Sequence, residues 1–361
     1  MADNRHNADG TGHARYLIVR LGAMGDVIHG LAAAQALRAA VPGCEIGWVI
    51  EERWAELLCA PGSAREGPVG PERPVADAVY TVNTRAWRKQ LFSAATWRDI
   101  GTLVARLRDR RFDVAIDIQG AIKSAGIAAL SRAEHVHGFE QPRERIATMF
   151  YSHRHPASGR HVVEQNLSLI ESVTHRPAER IEFPLPVDAT SEQWADEFVS
   201  RLNSAAVAIL NPGAGWGAKR WPGANYGRVA ASLAARGVTP LINFGPGEEN
   251  IAAEVERASG GSARGLRCTV SQLMALTRRA ALFVGGDTGP MHLAAAAGVP
   301  VVALFGPTDP ARNGPYGSPS VVLRNRQSAT SYKHVDRVDE GLHSITVNEA
   351  VEACERLLES R

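Results

Sequence analysis

From Arg15 onward, short apolar or β-branched runs alternate with longer stretches whose apolar positions recur every three or four residues. The short runs predict strands at residues 16–19, 47–50, 78–82 and 113–118, and the helical spacing predicts helices at 27–40 and 97–110. In the second helix Trp97, Ile100, Leu103, Val104 and Leu107 share one face. Residues 181–186 carry Pro184 and Pro186, which disfavour helix and suit an extended linker. A second alternation follows, with strands predicted at 207–210, 240–244, 282–284 and 301–305 and helices at 226–235, 249–258, 271–279 and 291–297. Residues 347–358 close the chain as an amphipathic helix, with Val347, Val351, Cys354 and Leu358 on one stripe. This is the pattern of parallel sheets covered by helices, so the fold class is α/β, in two units with a cleft between them.

Composition narrows the partners more than the fold. The chain has 361 residues, 45% of them hydrophobic and 22% charged, and Lys+Arg 40 against Asp+Glu 38 leaves a net charge of +2. No global field points to nucleic acid. Cys44, Cys59, Cys268 and Cys354 lie far apart, which argues against a disulfide framework or a zinc site. Residues 1–14 are polar and read as a disordered tail rather than a signal peptide, and no apolar run is long enough to span a bilayer. A cytoplasmic protein is expected, with contact to a membrane surface left open. The Gly- and Pro-rich stretch 61–74 reads as a mobile loop.

Ligands of open parallel sheets bind where strands end and helices begin, and the unusual residues gather there. After the first strand comes Gly22-Ala23-Met24-Gly25-Asp26-Val27-Ile28-His29. Asp26 is either the cap of the following helix or a base aimed into the cleft. The G-x-x-G spacing is not a dinucleotide fingerprint. After the first strand of the second unit, Gly213, Gly215 and Gly217 precede Lys219 and Arg220. That is a glycine turn with solvated cations, or a cradle for a diphosphate. Glu248 follows the next strand, as a helix-dipole partner or as a carboxylate for a ribose hydroxyl. Finally Gly286-Asp287-Thr288-Gly289-Pro290-Met291-His292 joins an apolar strand to an Ala-rich helix. Either Asp287 or Thr288 caps that helix, or its free N–H groups and dipole meet an anion while Asp287 meets sugar hydroxyls. Two basic clusters, Arg85-Ala86-Trp87-Arg88-Lys89 and Arg143 through Arg160, are either a solvated face or a seat for an acidic, phosphorylated acceptor near a membrane. No Asp-x-Asp or H-E-x-x-H motif suggests a metal.

Together these motifs resemble the lipopolysaccharide heptosyltransferases of glycosyltransferase family 9. The resemblance rests on Gly25-Asp26-Val27-Ile28-His29, Lys219-Arg220-Trp221-Pro222, Asp287-Thr288-Gly289-Pro290-Met291-His292 and Gly306-Pro307-Thr308-Asp309-Pro310. Arg85-Ala86-Trp87-Arg88-Lys89 and Asp117-Ile118-Gln119-Gly120-Ala121-Ile122-Lys123-Ser124 narrow it to the type I branch. It implies a GT-B fold of two Rossmann-like domains facing across a cleft: 15–183 for the acceptor, 184–345 for ADP-heptose, and a terminal helix, 346–361, crossing back to the first domain. It further implies inverting transfer of L-glycero-D-manno-heptose to the first Kdo of Kdo2-lipid A at the inner membrane. ADP-heptose is then a substrate, with neither cofactor nor metal. The implied catalytic pair is Asp26, as general base, and Lys219, on the phosphates. The donor set is Gly213, Gly215, Lys219, Glu248, Asp287, Thr288, Gly289 and His292. The acceptor set is Gly25, Arg85, Arg88, Lys89, Gln119, Lys123 and Arg143. Beside this stand a family member with another acceptor, a nucleotide-sugar epimerase of similar fold, and a non-catalytic nucleotide-sugar binder.

Overall fold

The computed structural model describes residues 14–90, 92–178, 180–202, 204–331 and 339–360. The expected tail therefore lies outside the described residues, apart from Ala14. Two six-stranded, all-parallel sheets carry the fold. The first contains β1 (Arg15–Val19), β2 (Glu45–Glu51), β3 (Ala78–Val82), β4 (Val114–Asp117), β5 (His135–Phe139) and β6 (His153–His155), in the order β3-β2-β1-β4-β5-β6. The second contains β7 (Ala206–Asn211), β8 (Val238–Asn243), β9 (Arg264–Leu266), β10 (Leu282–Gly286), β11 (Val301–Phe305) and β12 (Ser320–Arg324), in the order β9-β8-β7-β10-β11-β12. Counted from its own first strand, each sheet has the doubly wound order 3-2-1-4-5-6. Each therefore has a switch point beside that strand, where a crevice opens.

Both faces of each sheet are buried, which is why the strands read as continuous apolar runs. In the first half Ile18, Trp48 and Ile116 point into one layer, while Leu17, Val19 and Val49 point into the other. In the second half Leu210, Val284 and Leu304 alternate likewise with Ile209, Phe283 and Phe305. β5, β6, β9 and β12 were not among the strands predicted. β5, β6 and β9 are short or rich in polar residues, and partners already in place hold them extended, whereas β12 carries an apolar run of its own, Val321-Val322-Leu323, between polar ends.

The halves share an apolar seam. Leu273, Met274 and Leu293 of the second half are buried in the same cluster as Met24, Val27 and Leu31 of the helix Met24–Ala40. Polar contacts flank it: the Ser271 N–H donates to Glu56 Oε2 at 2.8 Å, and Arg160 pairs with Asp309 at 3.3 Å.

Two expectations need correcting. The terminal helix, Val347–Glu359, does not cross back to the first domain. Ala350, Ala353, Cys354 and Leu357 are buried with Tyr226 and Val229 of the second half, because the helix Gly223–Ala235 and its sheet offer that apolar stripe a groove at once. The stretch 61–74 is pinned rather than loose: buried Arg73 donates to the carbonyls of Ala64, Pro68 and Ala76. Among the described residues no helix is long and apolar enough to cross a membrane.

Candidate active site

The loops after β1, β7, β8 and β10 meet around a cavity of about 600 Å³ lined by residues of both halves, among them Asp26, Trp54, Gly213, Lys219, Glu248 and Thr288. On the first half, the chain leaves β1 and enters the helix Met24–Ala40 with Ala23 as the N-cap residue. Asp26 sits in the first turn. Its Oδ2 accepts the Ala23 N–H at 3.0 Å and its Oδ1 pairs with Arg20 Nη2 at 2.6 Å. Arg20 is itself buried and donates to the Ile118 carbonyl at 2.9 Å, so the carboxylate has a fixed seat. Its side chain nonetheless stays 37% exposed on the cavity wall. Asp26 is therefore not the cap residue itself: it accepts the N–H of the cap residue Ala23 from the third helical position, and its carboxylate lines the cleft.

On the second half, Glu248 Oε2 accepts the Gly245 N–H at 2.8 Å, and its carboxylate lies where a Cβ on residue 213 would stand. Glycine is required there by close approach. Lys219 Nζ lies 2.6 Å from Asp287 Oδ2 and 4.6 Å from the centre of the Trp216 ring. The other Asp287 oxygen lies 3.2 Å from His292 Nε2, and His292 Nδ1 lies 3.0 Å from His29 Nε2 on the first half. A carboxylate can only accept, so His292 Nε2 carries the hydrogen. His292 Nδ1 and His29 Nε2 then share one hydrogen bond across the seam. Burial, then the neighbouring His292, His161 and Arg20, hold His29 well below its ordinary value against the pull of Asp287, which keeps it neutral. Burial alone would raise Asp287, but the His292 hydrogen bond and the Lys219 charge outweigh it and hold the carboxyl far below the usual range. A chain Lys219–Asp287–His292–His29 therefore runs from the cavity across the seam.

The helix Gly289–Ala296 begins at the same place. Thr288 occupies its N-cap position without a side-chain cap bond, so the positive helix end stays open at the cavity. A departing anion would meet Lys219 and this helix end, with Asp26 facing them from the other half.

The family described as glycosyltransferase family 9 (heptosyltransferase) matches residues 100–341, more than half of the chain. The chain belongs to glycosyltransferase family 9. It is 32% identical to lipopolysaccharide heptosyltransferase 1 of Pseudomonas aeruginosa over 321 residues, covering 86% of this chain and 83% of that one. It is 25% identical to lipopolysaccharide heptosyltransferase 3 of Escherichia coli K12 over 313 residues, covering 81% and 86%. The structure of E. coli heptosyltransferase WaaC with ADP-2-deoxy-2-fluoro heptose superposes with a TM-score of 0.74 at 26% identity, covering 95% of this chain and 99% of that one. The two facing Rossmann-like sheets are the GT-B architecture, and the chain is a glycosyltransferase.

Within this family 9 site, the expected donor residues Gly213, Gly215, Lys219, Glu248, Asp287, Thr288, Gly289 and His292 all line the one cavity. Asp287 and His292 do so from buried positions, with both carboxylate oxygens of Asp287 engaged. They orient Lys219 rather than reach outward. The expected acceptor residues are spread more widely. Gly25 lines the first cavity at the seam, where a Cβ would strike the His292 ring. Gln119 shapes the loop before Asp26 by accepting the Leu21 N–H at 2.8 Å. Lys89 and Arg143 are exposed away from both main cavities. Arg85, Arg88 and Lys123 gather, with Arg53, around a second cavity of about 560 Å³. Arg53 lines that cavity and Trp54 lines the first, so the two adjoin at this turn. Arg20, His29 and Arg53 were not among the expected site residues. His29 carried one local signal, its place three residues after Asp26 on the same helix face.

Proposed function

We propose that the chain transfers L-glycero-D-manno-heptose from ADP-heptose to the first Kdo of Kdo2-lipid A, with inversion, in lipopolysaccharide core synthesis. The observation that carries this reading is the seating of Asp26 on one half opposite Lys219 and an open helix end on the other, across one cavity. Asp26 takes the proton of the acceptor hydroxyl as that oxygen forms its bond to the anomeric carbon, and the bond from that carbon to the diphosphate oxygen breaks on the opposite side. Lys219 and the start of the helix Gly289–Ala296 meet the charge left on ADP. The WaaC structures, one with ADP and one with ADP-2-deoxy-2-fluoro heptose, support the donor assignment. Type 1 relatives in both Pseudomonas and Escherichia support the acceptor.

Neither a resident cofactor nor a metal is part of this proposal, because Lys219 and the helix end supply the positive charge the leaving group needs. The acceptor is a lipid, so the enzyme works against the cytoplasmic face of the inner membrane without spanning it. Release of ADP from ADP-heptose in the presence of Kdo2-lipid A, and not of an already heptosylated core, tests the reading. Equal turnover with the heptosylated core moves the acceptor assignment to another branch of the family. Loss of turnover in EDTA overturns the metal-free mechanism.

A further inference from the structure

The second cavity is not what a charged sugar alone requires. One wall is the helix Ala94–Asp109, which contributes Ile100, Leu103, Val104 and Leu107, the same apolar face that periodicity would assign to core. The facing wall is the helix Ile122–Leu130, which contributes Gly126, Ile127 and Leu130. These walls enclose about 560 Å³ instead of closing on one another, a volume in the range that holds a small ligand. Arg53, Arg85, Arg88 and Lys123 stand around it, and among the described residues none of them is in an ion pair. Burial, and next the nearby Arg85 charge, lower the Arg53 guanidinium, while Glu51 on the same rim, which accepts the Thr84 hydroxyl, acts in the opposite direction. Gly126 supplies the most telling detail. A glycine inside a helix is less stable than alanine, and a Cβ at this position would meet nothing within 4 Å. Packing does not demand the glycine, and a large side chain at this position would project into the slot.

We propose that this cavity binds one hydrocarbon chain of an anionic amphiphile, tail between the helices Ala94–Asp109 and Ile122–Leu130 and phosphate or carboxylate head on Arg53, Arg85, Arg88 and Lys123. This deepens the acceptor reading and rests on it only for the physiological source, an acyl chain of the lipid-linked acceptor. Burying the tail supplies affinity in proportion to its length, and the cations select a negative head.

The test is calorimetric titration of the full chain with butyl, octyl and decyl phosphate below their micellar concentrations, with inorganic phosphate as reference. The expected result is affinity rising about fourfold for each added methylene until the slot is full. Gly126→Phe should abolish that length dependence while leaving ADP affinity and melting temperature unchanged, and Gly126→Ala should retain it. Decyl phosphate binding no tighter than inorganic phosphate, or equally well to Gly126→Phe, overturns the proposal. Turnover separates the sources. If Gly126→Phe raises KM for Kdo2-lipid A but not for the same acceptor stripped of its acyl chains, the tail belongs to the acceptor. If neither KM moves while length-dependent binding is lost, the slot stands and serves another membrane amphiphile. No turnover with Kdo2-lipid A in the wild type removes the acceptor reading, and the binding arm decides the slot by itself.

Discussion

The two halves have the same strand order and place their polar residues at the same ends of their strands, yet they treat charge in opposite ways. In the second half, Lys219, Asp287 and His292 satisfy one another in a buried chain. In the first, Arg85, Arg88, Lys89 and Arg53 stand without carboxylate partners among the described residues. The donor side is built with its charges already oriented, so that little reorganisation remains when a diphosphate departs. In the proposed reaction the first half, with its cations unneutralised, is the side where an acidic acceptor would supply the missing charge on arrival. Asp26 stands between these regimes: held by Arg20, exposed to the cavity, and close to the seam.

The sharpest way to break this contrast is to remove the one group assigned a proton. Asp26→Asn keeps the shape, and an amide can still accept the Ala23 N–H. ADP affinity, read by calorimetry, should stay near wild type while kcat falls by about 10²- to 10⁴-fold. Turnover close to wild type would remove Asp26 from the chemistry.

Charge orientation on the donor side predicts the next largest effect. Asp287→Ala leaves the half-buried Lys219 ammonium without its anion and frees the His292 ring, at a cost of about 3 kcal/mol in stability. It should lower the melting temperature and ADP affinity together. Lys219→Ala should weaken ADP and nucleotide-sugar binding as well as rate, and a double-mutant cycle between the two positions should show strong coupling. Additive effects would mean that Asp287 does not orient Lys219.

Most of the sheet was legible in the sequence because buried parallel strands leave apolar runs, and the donor loops were legible because glycines and a lysine or an acid punctuate the ends of those runs. β5 was not: His135-Val136-His137-Gly138-Phe139 has no apolar run to read, and it is a strand because β4 pairs with it in register. The apolar face of the helix Ala94–Asp109 was read correctly as a face but not as the wall of a cavity, since periodicity reports what is apolar and not what covers it. The His29–His292 bond joins residues 263 positions apart, and no local pattern encodes such a pair. Gly25 and Gly289 could be recognised as loop glycines, but their task of letting the His292 ring and Met24 approach across the seam belongs to the tertiary structure.

That seam yields a third prediction. His29→Ala leaves the buried His292 Nδ1 without its hydrogen-bond partner, at about 1–3 kcal/mol. His29→Gln can restore an N–H in a comparable place. If the histidine pair couples the halves, kcat and the melting temperature should fall in the alanine variant and recover in the glutamine variant, with acceptor KM little changed. Equal loss in both variants would assign His29 to packing alone.

The smallest effect separates the halves by acid. Histidines 135, 137, 153 and 155 crowd the β5–β6 edge of the first sheet, with His137 Nδ1 and His155 Nε2 2.9 Å apart and the His137 and His153 rings stacked at 4.5 Å. Burial first, and then His153, His155, His135 and His175, lower His137 from 6.5 to about 3. The folded state therefore binds this proton less readily than the unfolded chain. Its contribution is fully present above about pH 6.5 and is lost as pH falls from there towards 3, with a slope of at most about 1.4 kcal/mol per pH unit for the single proton. Hydrogen exchange at pH 5 should find the amides of β5 and β6 opening before those of β10 and β11, and His137→Gln should flatten the acid limb of the urea midpoint. Uniform opening of both sheets would show that acid acts through the shared seam, where buried His29 is also held neutral, and not through the edge.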